Sequence, residues 1–187
     1  MRLFTAIDVP EAWRDEASEM RRRLADPFDA DLRFVPRDQL HVTVRFLGEV
    51  AADHAEALAR AVESLPPLVV DVQLESAGTF GPPSRSTVVW LGVWIDSTAA
   101  DELLAALDGA VAAAGLAPSE APWRPHLTLA RVRRQTGAER RRELAQAVRD
   151  LPAPGPNRFT VRSVSLYRSD RGNSAPRHKL LVRSAIG

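Results

Sequence analysis

The pattern His-x-Thr followed by an apolar residue occurs twice in this chain, as His41-Val-Thr43-Val and His126-Leu-Thr128-Leu. Each copy lies in an alternating stretch that reads as a β-strand, so His and Thr share one face and the two apolar residues the other. Two such strands facing each other aim two imidazoles and two hydroxyls at one point. Imidazole, with an ordinary pKa of about 6.5, can hold or release a proton near neutrality. Opening a phosphate ester needs a base for the attacking water, an acid for the leaving oxygen, and donors for the charge that builds on the non-bridging oxygens. The four side chains cover those tasks, and the pattern leaves open which histidine is acid and which is base.

A metal site is a weaker reading. Zinc wants three or four protein ligands, the chain has no cysteine, and the other two histidines, His54 and His178, show no ligand spacing. No metal and no cofactor are expected. His54 reads as a solvated helix residue and His178 as a strand or loop residue without chemistry. The absence of cysteine also excludes disulfides and a thiol nucleophile.

Composition fits a soluble globular chain of 187 residues, with 45% hydrophobic and 26% charged residues. No apolar run reaches the roughly 18 residues of a membrane span, and the opening Met1-Arg-Leu-Phe-Thr-Ala-Ile-Asp8 turns polar too soon for a signal peptide. A cytoplasmic monomer with no membrane partner is expected. Net charge is +1, so any basic footprint for nucleic acid must be local.

The elements that must position the motifs are legible in order along the chain. A strand ends at Asp8, and a helix runs from Glu11 to Leu24, ended by Asp26-Pro27. Leu32 to Pro36 is a short extended piece, and the first motif strand spans 40–47. A helix covers 53–64. Strands 68–77 and 87–94 flank the turn Gly81-Pro82-Pro83-Ser84. Ser97 is the expected N-cap of a helix reaching Ala114, with Gly115 as its stop. The second motif strand spans 126–132, entered through Pro125, and a helix covers 138–149. Two last strands, 159–167 and 178–182, flank a polar loop at 169–175. This approximate internal duplication predicts an α+β fold over 1–187. It is a single bilobal domain of two pseudo-symmetric lobes, each an antiparallel sheet with outer helices, and the motifs sit in the groove between them. Trp90, Trp94 and Trp123 read as core or lobe-interface residues. Arg45, on the face of His41 and Thr43 by alternation, reads as a solvated strand-end residue or a groove residue.

Taken together, these segments resemble the two-histidine phosphoesterases, and within them the RNA 2′,3′-cyclic phosphodiesterase or 2′-5′ RNA ligase group. The resemblance rests on both motifs in their contexts, Leu40-His-Val-Thr-Val-Arg-Phe-Leu-Gly48 and Arg124-Pro-His-Leu-Thr-Leu-Ala-Arg131. Arg2 to Asp8, Val88 to Gly92 and Val164 to Ser169 come in the right order around them. It implies metal-independent opening of RNA 2′,3′-cyclic phosphate ends to 2′-phosphomonoesters. By position, His41 is the implied proton donor and His126 the proton acceptor, and Thr43 and Thr128 hold the phosphate. Arg131, five residues after the second His, is implied to contact the phosphate, and Phe46, its counterpart after the first, to stack on a base. Strict alternation would put both on the far face, so the motif strands must bend or bulge after Thr, or Phe46 is a core aromatic and Arg131 points elsewhere. Small cyclic phosphates or 2′-5′-linked nucleotides as substrates, the reverse ligation, and a non-catalytic RNA-end binding module are the competing functions. Tyr167, Arg168 and the loop at 169–175 read as structural, with closure of one end of the groove as the alternative.

Overall fold

The computed structural model describes residues 1–119, 121–155, 157–170 and 177–184. The chain runs β1 (Arg2–Asp8), α1 (Glu11–Phe28), β2 (Leu32–Phe34), β3 (His41–Glu49), α2 (Ala52–Glu63), β4 (Val70–Phe80), β5 (Val88–Ile95), α3 (Ser97–Ala113), β6 (His126–Val132), α4 (Ala138–Arg149), β7 (Arg158–Val161), β8 (Ser165–Asp170) and β9 (Arg177–Arg183).

All pairings are antiparallel, in the order β7-β4-β5-β6-β3-β1-β8-β9, with β2 added beside β6. The order has a centre. β7-β4-β5-β6 is one half and β3-β1-β8-β9 the other. The motif strands β3 and β6 meet at the seam, where Val42 pairs with Leu127. The two expected lobes are therefore present, and their sheets run into one another through the motif strands.

The helices cross between halves. α1 follows β1 but packs on β2, β6 and α4, whereas α3 follows β5 and packs on α2, the helix that itself lies against β8 and β9. Each lobe is thus covered partly by chain from the other, which locks the seam. The apolar sides of the motif strands, Val42, Val44, Leu127 and Leu129, are buried in one continuous core with Trp13, Met20, Leu58, Leu103, Leu107 and Leu144 from the helices. That leaves the His and Thr sides facing outward from the core.

Several boundaries differ from expectation. α1 continues through Pro27 to Phe28. A proline in the last turn forfeits little helix, and burying Phe28 under the Arg140 guanidinium anchors that turn. The cap of α3 is Asp96, whose carboxylate accepts from the Thr98 and Ala99 backbone N–H groups. The segment expected as a strand over 159–167 is two strands: β7 pairs with β4 at one end of the sheet and β8 with β1 in the other half. Periodicity could not reveal a crossover between two strands of like pattern. Trp94 is exposed under Arg158 rather than buried. His54 is tied rather than solvated, its Nδ1–H donating to the Ala114 carbonyl at the end of α3 (2.7 Å). Among the described residues no helix is long and apolar enough to cross a membrane.

Candidate active site

The two motif strands have matching burial profiles. In both, the residue after Thr and its next neighbour are consecutively buried: Val44-Arg45 in β3 and Leu129-Ala130 in β6. Two inward residues in a row mean a β-bulge, and the register confirms it. Thr43 pairs with Ala6 and Arg45 with Thr5, so Val44 is the extra residue. Thr128 pairs with Trp90 and Ala130 with Val89, so Leu129 is the extra one. Each bulge reverses the facing of the residues beyond it in the strand. Phe46 and Arg131, five residues beyond the histidines, therefore return to the His and Thr side.

The groups freed by the bulges find partners. The Arg45 backbone N–H donates to the buried Thr5 hydroxyl (3.1 Å), and the Leu129 carbonyl accepts from Val35 N–H (2.9 Å). Arg45 itself turns into the core side, where its guanidinium grips both carboxylate oxygens of Asp108 on α3, each at 2.7 Å. It is neither a groove residue nor a solvated one, because the bulge reverses the face that alternation assigned to it.

His41, Thr43, Phe46, His126, Thr128 and Arg131 all line one open cavity of about 470 Å³, together with Arg2, Phe4, Gln39 and His178. Both motif histidines are held alike. His41 Nδ1 lies 2.7 Å from the Gln39 carbonyl, and His126 Nδ1 lies 2.7 Å from the Arg124 carbonyl. A carbonyl can only accept, so Nδ1 carries the hydrogen in both rings and each Nε2 is left for the cavity. The Thr43 hydroxyl donates to His41 Nε2 at 3.1 Å. Pro125, with its fixed φ, precedes His126 as the entry to β6, and the Trp123 indole N–H donates across the seam to the Thr43 carbonyl (2.8 Å).

The surroundings of the two rings are unequal. His41 sits on Phe4 (4.9 Å), with His178 nearly perpendicular at 5.1 Å and Tyr167 stacked behind at 6.4 Å. Tyr167 is fixed by Asp8, which accepts its hydroxyl hydrogen and is also held by Ser165 and Arg183. Burial pushes His41 down to about 4 against the pull of the Gln39 carbonyl and Asp8. His126 is lowered as well, by burial and the Arg131 guanidinium, and Phe80 meets its ring edge-on at 4.8 Å. His178, expected to carry no chemistry, is a wall of the same cavity. Its position depends on the pairing of β9 with β8, which no local pattern announces. The polar loop at 169–175 lies, from 171 onward, outside the described residues.

A sequence model of the 2′-5′ RNA ligase superfamily matches residues 9–173. The chain belongs to this superfamily. An RNA 2′,3′-cyclic phosphodiesterase of Methanothermobacter thermautotrophicus is 32% identical over 94% of each chain. The protein of that name from Escherichia coli K12 is 32% identical over 99% of this chain and 96% of its own. Among solved structures, E. coli LigT complexed with 3′-AMP superposes with a TM-score of 0.73 at 31% identity, over 97% of this chain and 95% of that one. The burial, charge and hydrogen bonds around each ring belong to this chain's own residues.

Proposed function

We propose that this protein is a metal-independent RNA 2′,3′-cyclic phosphodiesterase, in which His126 is the general base and His41 the general acid. The observation that carries the proposal is that both Nε2 atoms are directed to a single cavity by the same carbonyl anchor on Nδ1. The named activity of its superfamily relatives supports the substrate.

The reaction then runs in line. His126 Nε2 takes a proton from water as its oxygen attacks phosphorus. Thr43, Thr128 and Arg131 hold the non-bridging oxygens while charge builds there. The bond from phosphorus to the 3′ oxygen breaks, and His41 Nε2–H supplies that oxygen with its proton, leaving a 2′-phosphomonoester and a 3′ hydroxyl. His41 is neutral in the empty site at pH 7. The incoming phosphate anion raises its proton affinity, and Thr43 is then released from Nε2 to turn toward a phosphoryl oxygen. The same residues serve the reverse joining reaction by microscopic reversibility. A cavity of about 470 Å³ suits one terminal nucleotide rather than a duplex.

His41→Ala and His126→Ala should each lower turnover of a 2′,3′-cyclic nucleotide by roughly 10²–10⁴-fold, and a chelator should leave the unsubstituted protein at full rate. Turnover unchanged in either variant overturns the assignment of that histidine. Loss on chelation, restored by a divalent ion, overturns the metal-free mechanism.

A further inference from the structure

The cavity holds a third imidazole that belongs to neither motif. His178, on β9, stands almost perpendicular to His41 and meets Phe4 edge-on at 4.8 Å. Its backbone N–H donates to Gln39 Oε1 at 2.7 Å, while the carbonyl of that same Gln39 holds His41 Nδ1–H. One residue therefore registers both rings against each other. β9 is an edge strand, and this is a long-range tie at the point where it enters the cavity wall.

The ring nitrogens decide what His178 can do. Nδ1 is shut off from solvent and has no hydrogen-bond partner among the described residues. An imidazolium carries hydrogen on both nitrogens and would bury one of them unpaired, so the ring stays neutral. Burial and the Arg131 guanidinium act in the same direction, lowering its pKa. Of the two neutral forms, the one with an orphaned buried N–H is the costlier. That leaves Nδ1 bare and the hydrogen on Nε2. The side chain is only partly buried and lines the cavity, and with Nδ1 shut off from solvent, Nε2 is the nitrogen left to meet it.

We propose that His178 is a substrate-binding residue whose Nε2–H donates to a non-bridging phosphoryl oxygen beside Arg131. This rests on the phosphodiesterase reading above. The polarity is opposite to that of the motif histidines in the empty site, where Nδ1 carries the hydrogen and Nε2 is bare. A neutral donor has a use at this place. It adds an anion contact without setting a second positive charge against the ring that must take up a proton.

Two variants and one spectrum test it. His178→Phe keeps a ring against Phe4 and His41 and deletes the donor, whereas His178→Tyr returns a neutral O–H. His178→Phe should raise KM for a 2′,3′-cyclic nucleotide, and Kd for inorganic phosphate by calorimetry, about tenfold. It should leave kcat and the shape of the pH profile little changed, and His178→Tyr should recover most of the loss. Phosphate binding unaltered in His178→Phe, or a loss confined to kcat with a displaced pH profile, overturns the proposal. Phosphate calorimetry does not depend on turnover, so an unsubstituted protein that fails to hydrolyse the cyclic nucleotide overturns the functional reading and not this one. In case the variants do not fold, ¹⁵N–¹H imidazole correlation of the unsubstituted protein gives an independent reading. An Nε2–H tautomer for His178 supports the contact, and an Nδ1–H tautomer overturns it.

Discussion

The two motif strands are built to one plan and set in unequal ground. β3 and β6 share the order of buried and open residues, the bulge after Thr, and the carbonyl that anchors Nδ1. Behind His41 stand Phe4, Tyr167 and His178, backed by the Asp8 cluster; against His126 stands the edge of Phe80. The shared plan fixes where the two Nε2 atoms point. The unequal surroundings fix how tightly each holds a proton, and His41 is pushed to about 4. A near-symmetric scaffold thus provides two imidazoles in unequal surroundings, because proton affinity depends on burial and neighbours rather than on the strand.

The largest difference between the strands lies one residue beyond the bulge. β3 places Arg45 there, buried and paired with Asp108, where β6 places the small apolar Ala130. Breaking a buried pair strands an uncompensated charge, at a cost of roughly 3–5 kcal/mol. Arg45→Met should destabilise by about 3 kcal/mol, toward the low end because Asp108 is partly exposed and can rehydrate. The double variant Arg45→Met/Asp108→Leu should recover a good part of that. Urea denaturation of the three proteins checks it. A loss below about 1 kcal/mol in Arg45→Met would mean that the pair adds nothing beyond a surface contact.

Next in size is the pH dependence of stability, which separates the two histidines. His41 has a folded pKa of about 4 against about 6.5 when unfolded. Above 6.5 both states are neutral and nothing changes. Between 6.5 and 4 the unfolded chain binds the extra proton, so stability falls as pH falls, by about 2 kcal/mol at pH 5 and about 3 kcal/mol in full. His41→Asn should flatten that slope. His126→Asn should flatten it less, since Phe80 is the only ring packed on His126 among the described residues. Equal flattening by the two variants would contradict the unequal surroundings.

Much of this was legible in the residues, and the illegible part has a common cause. The motif strands, the four helices to within a few residues, the antiparallel halves and the pairing of His with Thr all derive from short-range period and turn chemistry. The stop at Gly115, with φ of 74°, is one instance. What local pattern could not give was pairing between distant strands. The crossover that parts β7 from β8 is one such case, and the placement of His178 beside His41 is another. Arg45 failed for a subtler reason. One extra residue reverses every later face, so the bulge that returns Phe46 to the cavity is the one that turns Arg45 into the core.

The smallest contrast lies at the two positions that the bulges return to the cavity. Arg131 is a guanidinium, suited to phosphate whatever base is attached. Phe46 is half exposed, with Arg2 over its ring at 4.6 Å, and so offers a flat apolar face. Arg131→Met would remove the proposed charge-assisted contact to phosphate, worth about 2 kcal/mol, and should lower kcat/KM about thirtyfold for every base alike. If Phe46 takes the stacking role the resemblance implies, Phe46→Ala removes a contact worth about 1 kcal/mol at an open site. It should act on KM by about fivefold, more for purine than for pyrimidine cyclic nucleotides, because the larger ring loses more overlap. The two effects differ in which constant moves and in whether the base matters. A Phe46→Ala loss that falls on kcat and ignores the base would therefore assign the ring to supporting its strand, and leave Arg131 as the one position that the bulges return for chemistry.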